Sequence, residues 1–148
     1  MKKIVITSGF FNPLHVGHVS LIREARNLGD YLVVIVNNDE QVKVKGSAEF
    51  MPENERMEII RTLRSVDEVF LSVDKDGFIP ESLKAVAQRY AGDELVFAKG
   101  GDRNFDNLPE SEKKVCRDFN ITVVNNVGGG KVQSSSWLLQ SVQKKHVN

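Results

Sequence analysis

The chain has 148 residues, of which 41% are hydrophobic and 27% charged, so it is long enough to bury a core and is expected to form one domain over residues 1–148. Its 20 basic and 20 acidic side chains cancel to a formal net charge of zero, which argues against a nucleic-acid-binding or membrane-surface protein. Cys116 is the only cysteine, which excludes an internal disulfide and a multi-cysteine metal site. With no signal peptide and no apolar run long enough to span a membrane, we expect a cytoplasmic protein.

Short β-rich apolar runs alternate with amphipathic runs along the chain. Strands are expected at 3–9, 31–37, 67–73, 94–101 and 120–127. Helices are expected at 16–30, 51–66, 80–92, 108–119 and 133–145. The alternation predicts an α/β fold, a Rossmann-like doubly wound five-stranded parallel sheet with helices on both faces. Because ligands of such sheets bind outside the carboxyl ends of the strands, the segments that follow the strands are the candidate site.

The segment GFFNPLHVGH, residues 9–18, leaves the first strand and enters the first helix. Gly9 permits a close backbone approach, and Gly17 lets a ligand sit against the helix N-terminus, where free N–H groups favour phosphate. His15 and His18 are three residues apart, so their imidazoles share a face of the first turn and can donate to phosphoryl oxygens. The alternative is a polar turn with solvated or capping histidines. A zinc site would lack both HExxH spacing and a cysteine cluster.

This H-x-G-H pattern resembles the signature of the nucleotidyltransferase superfamily, which includes cytidylyltransferases, adenylyltransferases and the core of class I aminoacyl-tRNA synthetases. The resemblance covers almost the whole chain, through residues 9–46, 52–69, 99–102 and a serine run near the C-terminus. It is closest to the small bacterial glycerol-3-phosphate cytidylyltransferases and to the adenylyltransferase domain that makes ADP-heptose. The resemblance implies in-line attack by an acceptor phosphate on the α-phosphorus of a nucleoside triphosphate, with release of pyrophosphate.

The same resemblance implies roles for residues of the first two loops. His15 and His18 would hold the triphosphate and stabilise developing charge, with Mg²⁺ bound mainly through the nucleotide phosphates and no metal site made by the protein itself. Lys45, just before Gly46, matches the family lysine near the phosphates, whereas Lys43 is open between a phosphate contact and a solvated basic turn.

Two arginines of the expected helix 51–66 also match the cytidylyltransferase pattern. Arg56 and Arg64 are eight residues apart, so they would lie two turns apart on one helix face. We expect both to contact phosphate of the nucleotide or the acceptor. A surface position among acidic neighbours is the alternative.

The segment KGGD after the fourth strand is expected to approach the base or ribose through Lys99, Gly100 and Asp102. A simple turn is the alternative. Glycerol-3-phosphate cytidylyltransferases carry an acidic residue at the position of Gly101, whereas the ADP-heptose-forming domains carry K-G-G-D as here, which favours ATP over CTP. Phe10 and Phe11 are candidates to stack on the base. Packing in the core is favoured for Phe10 and stays open for Phe11.

The serine run opens the last expected helix, where hydroxyl and N–H groups can hold the β- and γ-phosphates. The candidate residues are Ser134, Ser135 and Ser136, with a plain N-cap as the alternative. The superfamily often has Arg or Lys after this run, but this chain has Trp137, and Lys131 is the candidate substitute.

The expected function is transfer of a nucleotidyl group from ATP to a small phosphorylated acceptor such as a sugar phosphate, comparable to heptose 1-phosphate. One alternative is a CTP-dependent glycerol-3-phosphate cytidylyltransferase. Another, of a different class, is a nucleotide-binding regulator that has lost catalysis, against which the intact H-x-G-H speaks. Members of this family are commonly dimers, so the resemblance implies a homodimer.

Overall fold

The computed structural model describes residues 1–129 and 138–142. Five strands form a single sheet: β1 (Lys3–Gly9), β2 (Tyr31–Val36), β3 (Glu68–Leu71), β4 (Glu94–Ala98) and β5 (Thr122–Val124). Their order is β3-β2-β1-β4-β5, and every neighbouring pair is parallel. The expected Rossmann-like parallel sheet is therefore confirmed. The direction of winding reverses between β1 and β4, which makes the carboxyl ends of these two strands the topological switch point.

Helices cover both faces of the sheet. The described helices are α1 (Val16–Arg26), α2 (Asp39–Lys45), α3 (Glu53–Arg61), α4 (Pro80–Arg89) and α5 (Glu110–Asp118), with a 3₁₀ turn at Phe105–Asn107. Residues 138–142 are also helical. One core lies beneath α1 and α3 and includes Ile22, Ala25 and Ile60, and the other lies beneath α4 and α5 and includes Leu83, Val86 and Cys116. Within the described ranges no helix is long and apolar enough to cross a membrane.

Helix α2 replaces the loop that was expected after the second strand. Asn38 caps it by accepting from the Gln41 N–H at 2.9 Å, and the Gln41 side chain accepts from the Asn38 N–H at 3.1 Å. This reciprocal capping box satisfies two N–H groups that a helix start otherwise leaves open. Gly46 ends the helix with a φ of 78°, a left-handed conformation that glycine adopts without strain. The N-x-x-Q signal was present in the sequence.

Helix α3 is shorter than expected. It ends at Arg61, and the Thr62 hydroxyl donates to the Ile59 carbonyl at 2.7 Å at that end. Arg64 therefore lies beyond the helix, and the prediction that Arg56 and Arg64 share one helix face is wrong.

Candidate functional site

A cavity of about 540 Å³ opens at the switch point and is called the main cavity below. Sequence-predicted site residues that line it are Gly9, Phe10, Phe11, His15, Gly17, His18, Lys45, Gly100 and Asp102. Further lining residues, which the sequence did not single out, include Ser8, Asn12, Ser47, Gly101, Arg103, Gly128 and Leu139. The cavity thus brings the loops after β1, β4 and β5 together with the end of α2. Because parallel strands end at one edge, residues distant in sequence meet there.

The two histidines of the first loop cap helix α1 with their own rings. His15 Nδ1 accepts from the Gly17 N–H at 3.1 Å, and His18 Nδ1 accepts from the His15 N–H at 3.3 Å. A ring nitrogen that accepts carries no hydrogen, so each neutral imidazole carries its hydrogen on Nε2, which is then a donor. The rings stack with centroids 3.8 Å apart. The capping and phosphate-binding interpretations are therefore compatible, because they use different nitrogens.

His18 is neutral at physiological pH. Burial, followed by the nearby His15 and Lys45, lowers the pKa of His18 to about 3. Its ring also meets the edge of Phe11, with centroids 4.9 Å apart. His18 therefore presents a neutral Nε2–H group, and Lys45 and Arg103 are the lysine and arginine among the described lining residues.

Phe11, whose place the sequence left open, is buried, whereas Phe10, which was expected in the core, is not. Phe11 is 1% exposed and adopts a φ of 53°, and its ring folds back against Gly9. A Cβ added to Gly9 would lie 2.8 Å from Phe11 Cζ, so the glycine makes room for this ring. Phe10 is half-buried and lines the cavity with Lys45 Nζ 4.3 Å from its ring centroid. The prediction that Phe10 packs in the core is wrong, and Phe11 occupies the core instead.

The two lysines of α2 separate. Lys45 lines the main cavity, whereas Lys43 is not among the lining residues and pairs with Glu49 at 3.9 Å across an exposed surface. Residues two apart on a helix point in different directions, so the helix that replaced the expected loop also divides the pair.

Arg56 lies beneath the main cavity and does not line it. The side chain is 0% exposed, and its guanidinium donates to the carbonyls of Phe10 at 2.8 Å, Asn37 at 2.6 Å and Met51 at 2.9 Å. It also pairs with Asp39 at 2.8 Å. These bonds commit the guanidinium to holding the ends of β1 and β2 together. The expected phosphate contact is corrected to a structural role, because hydrogen bonds to the protein satisfy this buried cation.

Arg64 is also placed away from the main cavity. It is exposed and lines a separate shallow groove with Val19 and Arg23 of α1 and with Leu63. Arg64 is thus not among the residues that line the main cavity, and its phosphate contact stays a prediction.

The residues of the segment after β4 do not all line the main cavity. Gly100, Gly101 and Asp102 line the main cavity, but Lys99 does not, and its Nζ lies 4.7 Å from the Phe97 ring centroid. Burial lowers the pKa of the Lys99 amine, and the nearby Glu112 carboxylate opposes that shift. Lys99 is therefore not among the residues that line the main cavity, and its nucleotide contact stays a prediction. Gly101 has a φ of 60°, which an acidic side chain would adopt only with strain.

A glycine turn after β5 closes the main cavity against α1. Gly128 has a φ of 86°, and a Cβ there would lie 2.8 Å from the Leu21 backbone. Its N–H donates to the Glu24 carboxylate. The remaining predicted residues after this turn, Lys131, Ser134, Ser135, Ser136 and Trp137, lie outside the described residues. Within 1–129 and 138–142, no three His, Cys, Asp or Glu side chains converge to hold a metal ion.

Comparison with known proteins identifies the family of the chain. The family model described as cytidylyltransferase-like matches residues 6–139. The FAD synthase of Ferroglobus placidus is 42% identical over 107 residues, which cover 72% of this chain and 63% of that protein. The bifunctional protein HldE of Desulfatibacillum aliphaticivorans is 38% identical over 109 residues, which cover 72% of this chain and 21% of that protein. The chain thus spans less than two thirds of the first of these relatives and about a fifth of the second.

A solved structure shares the fold. The lipopolysaccharide core biosynthesis protein from Thermoplasma volcanium matches with a TM-score of 0.65 and 28% identity, over 84% of this chain and 94% of that one. The region that the family model matches includes the β1–α1 loop, the switch point and the glycine turn after β5. The chain belongs to the cytidylyltransferase-like family of nucleotidyltransferases.

Proposed function

We propose that this protein is an adenylyltransferase that transfers AMP from ATP to a small phosphorylated acceptor and releases pyrophosphate. The observation that carries the proposal is the histidine pair at the switch point. Both Nδ1 atoms are occupied by backbone N–H groups, so both rings have the tautomer with a hydrogen on Nε2. Oriented neutral donors of this kind suit phosphoryl oxygens, and they require no ionisation before the substrate binds.

In the proposed reaction an acceptor phosphate oxygen attacks the α-phosphorus of ATP. The new bond joins that oxygen to the α-phosphorus, and the bond from the α-phosphorus to the bridging oxygen of the β-phosphate breaks, so pyrophosphate leaves. His15 and His18 donate to oxygens on which negative charge develops, and Lys45 supplies a fixed positive charge. The chain needs no protein nucleophile, because positioning and charge neutralisation are sufficient for this transfer.

Magnesium fits this site only as a partner of the nucleotide. The described lining residues offer one carboxylate, Asp102, and Mg²⁺ prefers several oxygen ligands. When bound through the triphosphate, Mg²⁺ would neutralise part of the phosphate charge. We therefore propose Mg²⁺ as the cofactor. The cytoplasmic location and the homodimer stay predictions.

Two acceptor classes follow from the relatives. A sugar phosphate agrees with the K-G-G-D segment, in which Gly101 stands where the cytidylyltransferase pattern has an acidic residue. FMN is the second candidate, because the FAD synthase relative is 42% identical and FAD is FMN joined to AMP. Both acceptors present a phosphomonoester to the α-phosphorus, so one catalytic arrangement serves either.

The direct test measures pyrophosphate release from ATP and CTP with glycerol 3-phosphate, hexose and heptose 1-phosphates, and FMN. We expect release from ATP with a sugar phosphate or FMN. Turnover of CTP with glycerol 3-phosphate alone would replace the proposal by its cytidylyltransferase alternative. Tight ATP binding without turnover of any acceptor would indicate a regulator.

Two substitutions of His18 test its Nε2–H donor separately from its Nδ1 acceptor, which caps helix α1. His18→Asn places an amide oxygen near the position of Nδ1 and so keeps the acceptor for the His15 N–H, but it lacks the Nε2 hydrogen. Its turnover should fall by about a hundredfold or more while the protein still unfolds cooperatively in a thermal melt. His18→Gln supplies an N–H near the position of Nε2 and should recover part of the rate. Equal activity of wild type and His18→Asn would contradict the proposed role.

A further inference from the structure

A second cavity lies beside the main cavity, and two residues line both of them. This second cavity has a volume of about 420 Å³ and is lined by Phe78, Asp102, Arg103, Asn107, Leu108 and Pro109. Asp102 and Arg103 line both cavities. Phe78 follows β3 and the other residues follow β4, so the second cavity opens at the same edge of the sheet as the first. A reaction between two substrates needs two adjoining sites, and this arrangement provides them.

Hydrogen bonds hold the walls of the second cavity in place. The Asn107 amide donates to the Asp102 carbonyl at 2.9 Å, and Leu108 is buried. On the opposite wall, the fully buried Gln41 of α2 donates to the carbonyls of Asp76 at 2.8 Å and Phe78 at 2.9 Å. Helix α2 therefore supports the second cavity through Gln41 and lines the main cavity through Lys45. The second cavity is open to solvent, and these hydrogen bonds fix the backbone on two of its sides.

Arg103 is the cation at the junction of the two cavities. Its side chain is exposed, and its guanidinium makes no hydrogen bond or ion pair with any residue that the structure describes. This differs from Arg56, whose guanidinium is consumed by three carbonyls and Asp39. A planar guanidinium binds a phosphate through two parallel N–H donors. At this junction it can hold the phosphate of a second ligand next to a nucleotide in the main cavity.

The other walls indicate what that phosphate is attached to. Phe78 is 48% exposed and, with Leu108 and Pro109, offers an apolar surface. The Asp102 carboxylate accepts hydrogen bonds, and the Asn107 amide can both donate and accept. Such a mixture suits a carbon skeleton with several hydroxyl groups and one apolar face.

We propose that the second cavity is the acceptor subsite and that Arg103 binds the acceptor phosphate, with a polyhydroxylated phosphomonoester as the ligand class. This inference rests on the proposed adenylyl transfer. Sugar phosphates and the ribityl phosphate of FMN both have this chemistry. Arg103 thereby becomes a specificity-determining residue, and the K-G-G-D-R segment serves both substrates, with Gly100 at the nucleotide and Arg103 at the acceptor.

The test compares Arg103→Met with the control Arg61→Met, which removes an exposed arginine of α3 whose ion pair, among the described residues, is with Glu58. With the acceptor that gives the highest pyrophosphate release, Arg103→Met should raise the acceptor KM by about tenfold or more. The KM for ATP should stay within about twofold, and Arg61→Met should change neither. Phe78→Ala should raise the acceptor KM as well. An equal rise in both KM values, or an unchanged acceptor KM in Arg103→Met, would overturn the assignment.

Binding measurements separate this inference from the proposed function. If the wild type releases no pyrophosphate with any acceptor, the proposed function fails and the subsite is tested by titration with FMN and with hexose 1-phosphates. Binding of either ligand that is lost in Arg103→Met and kept in Arg61→Met supports the subsite. Equal binding by both variants, or none by the wild type, overturns it. A preference for FMN or for the sugar phosphates identifies the source of the phosphomonoester.

Discussion

Replacing Arg56 by lysine should destabilise the protein strongly although the charge is kept. Arg56 is fully buried and donates through Nε and Nη1 to three backbone carbonyls, those of Met51, Phe10 and Asn37. A lysine nitrogen could take the place of Nη1, which donates to Phe10 and Asn37, but it could not also supply the Nε bond to Met51 and the Nη2 bond to Asp39. A buried acceptor left without a donor costs about 1–3 kcal/mol. Even at the lower bound, the loss of the donors to the Met51 carbonyl and to Asp39 predicts a decrease of about 2 kcal/mol in the free energy of unfolding.

The assay is urea denaturation followed by circular dichroism, with Arg61→Lys as the matched control on the same helix. Arg61 is exposed and, within the described part of the chain, pairs with Glu58, so its replacement should change the free energy of unfolding by less than about 0.5 kcal/mol. A typical domain is stable by about 5–15 kcal/mol, so Arg56→Lys should stay folded enough to measure. If the two variants differ by less than about 1 kcal/mol, the interpretation of Arg56 as the tie between β1 and β2 is refuted.

Two further predictions concern the first loop. The folded state holds the pKa of His18 at about 3, below its ordinary value, so on acidification the unfolded state takes up the proton first and stability falls. Between pH 6.5 and 3, His18 should lower the free energy of unfolding by about 1.4 kcal/mol for each pH unit of acidification. Denaturation of His18→Asn at the same pH values should lack this contribution. If the variant and the wild type lose stability with the same slope, the prediction is contradicted. Gly9→Ala places a Cβ 2.8 Å from Phe11 Cζ and should cost about 1–3 kcal/mol in a thermal melt. Gly77→Ala meets no atom within 4 Å and serves as the control, so equal melting temperatures would contradict the packing argument.

Much of the fold follows from local sequence pattern. Buried parallel strands require continuous apolar runs, and "KIVITSG" and "YLVVIV" are such runs, so β1 and β2 were predicted close to their observed bounds. The alternation with helices then restricts the topology, because crossovers between parallel strands are right-handed. Helix α2 was missed although its capping box, Asn38 with Gln41, stood in the sequence. The helix has seven residues, so its apolar residues are too few to show a helical period, and the capping box was its main signal.

The sequence by itself determined the α/β class, the place of the site at the ends of the strands, and the histidine pair, because these depend on spacing within one segment. Only the tertiary structure decided which cations face the cavity. The resemblance covers three cations, Arg56, Lys99 and Lys45, without separating them. Arg56 lies beneath the main cavity, Lys99 lies near Phe97 of the core beneath α4 and α5, and Lys45 lines the main cavity. Nor did any local pattern set Arg103 apart from its neighbours. The direction of a side chain depends on what packs against its element from elsewhere in the chain, and that information is not local.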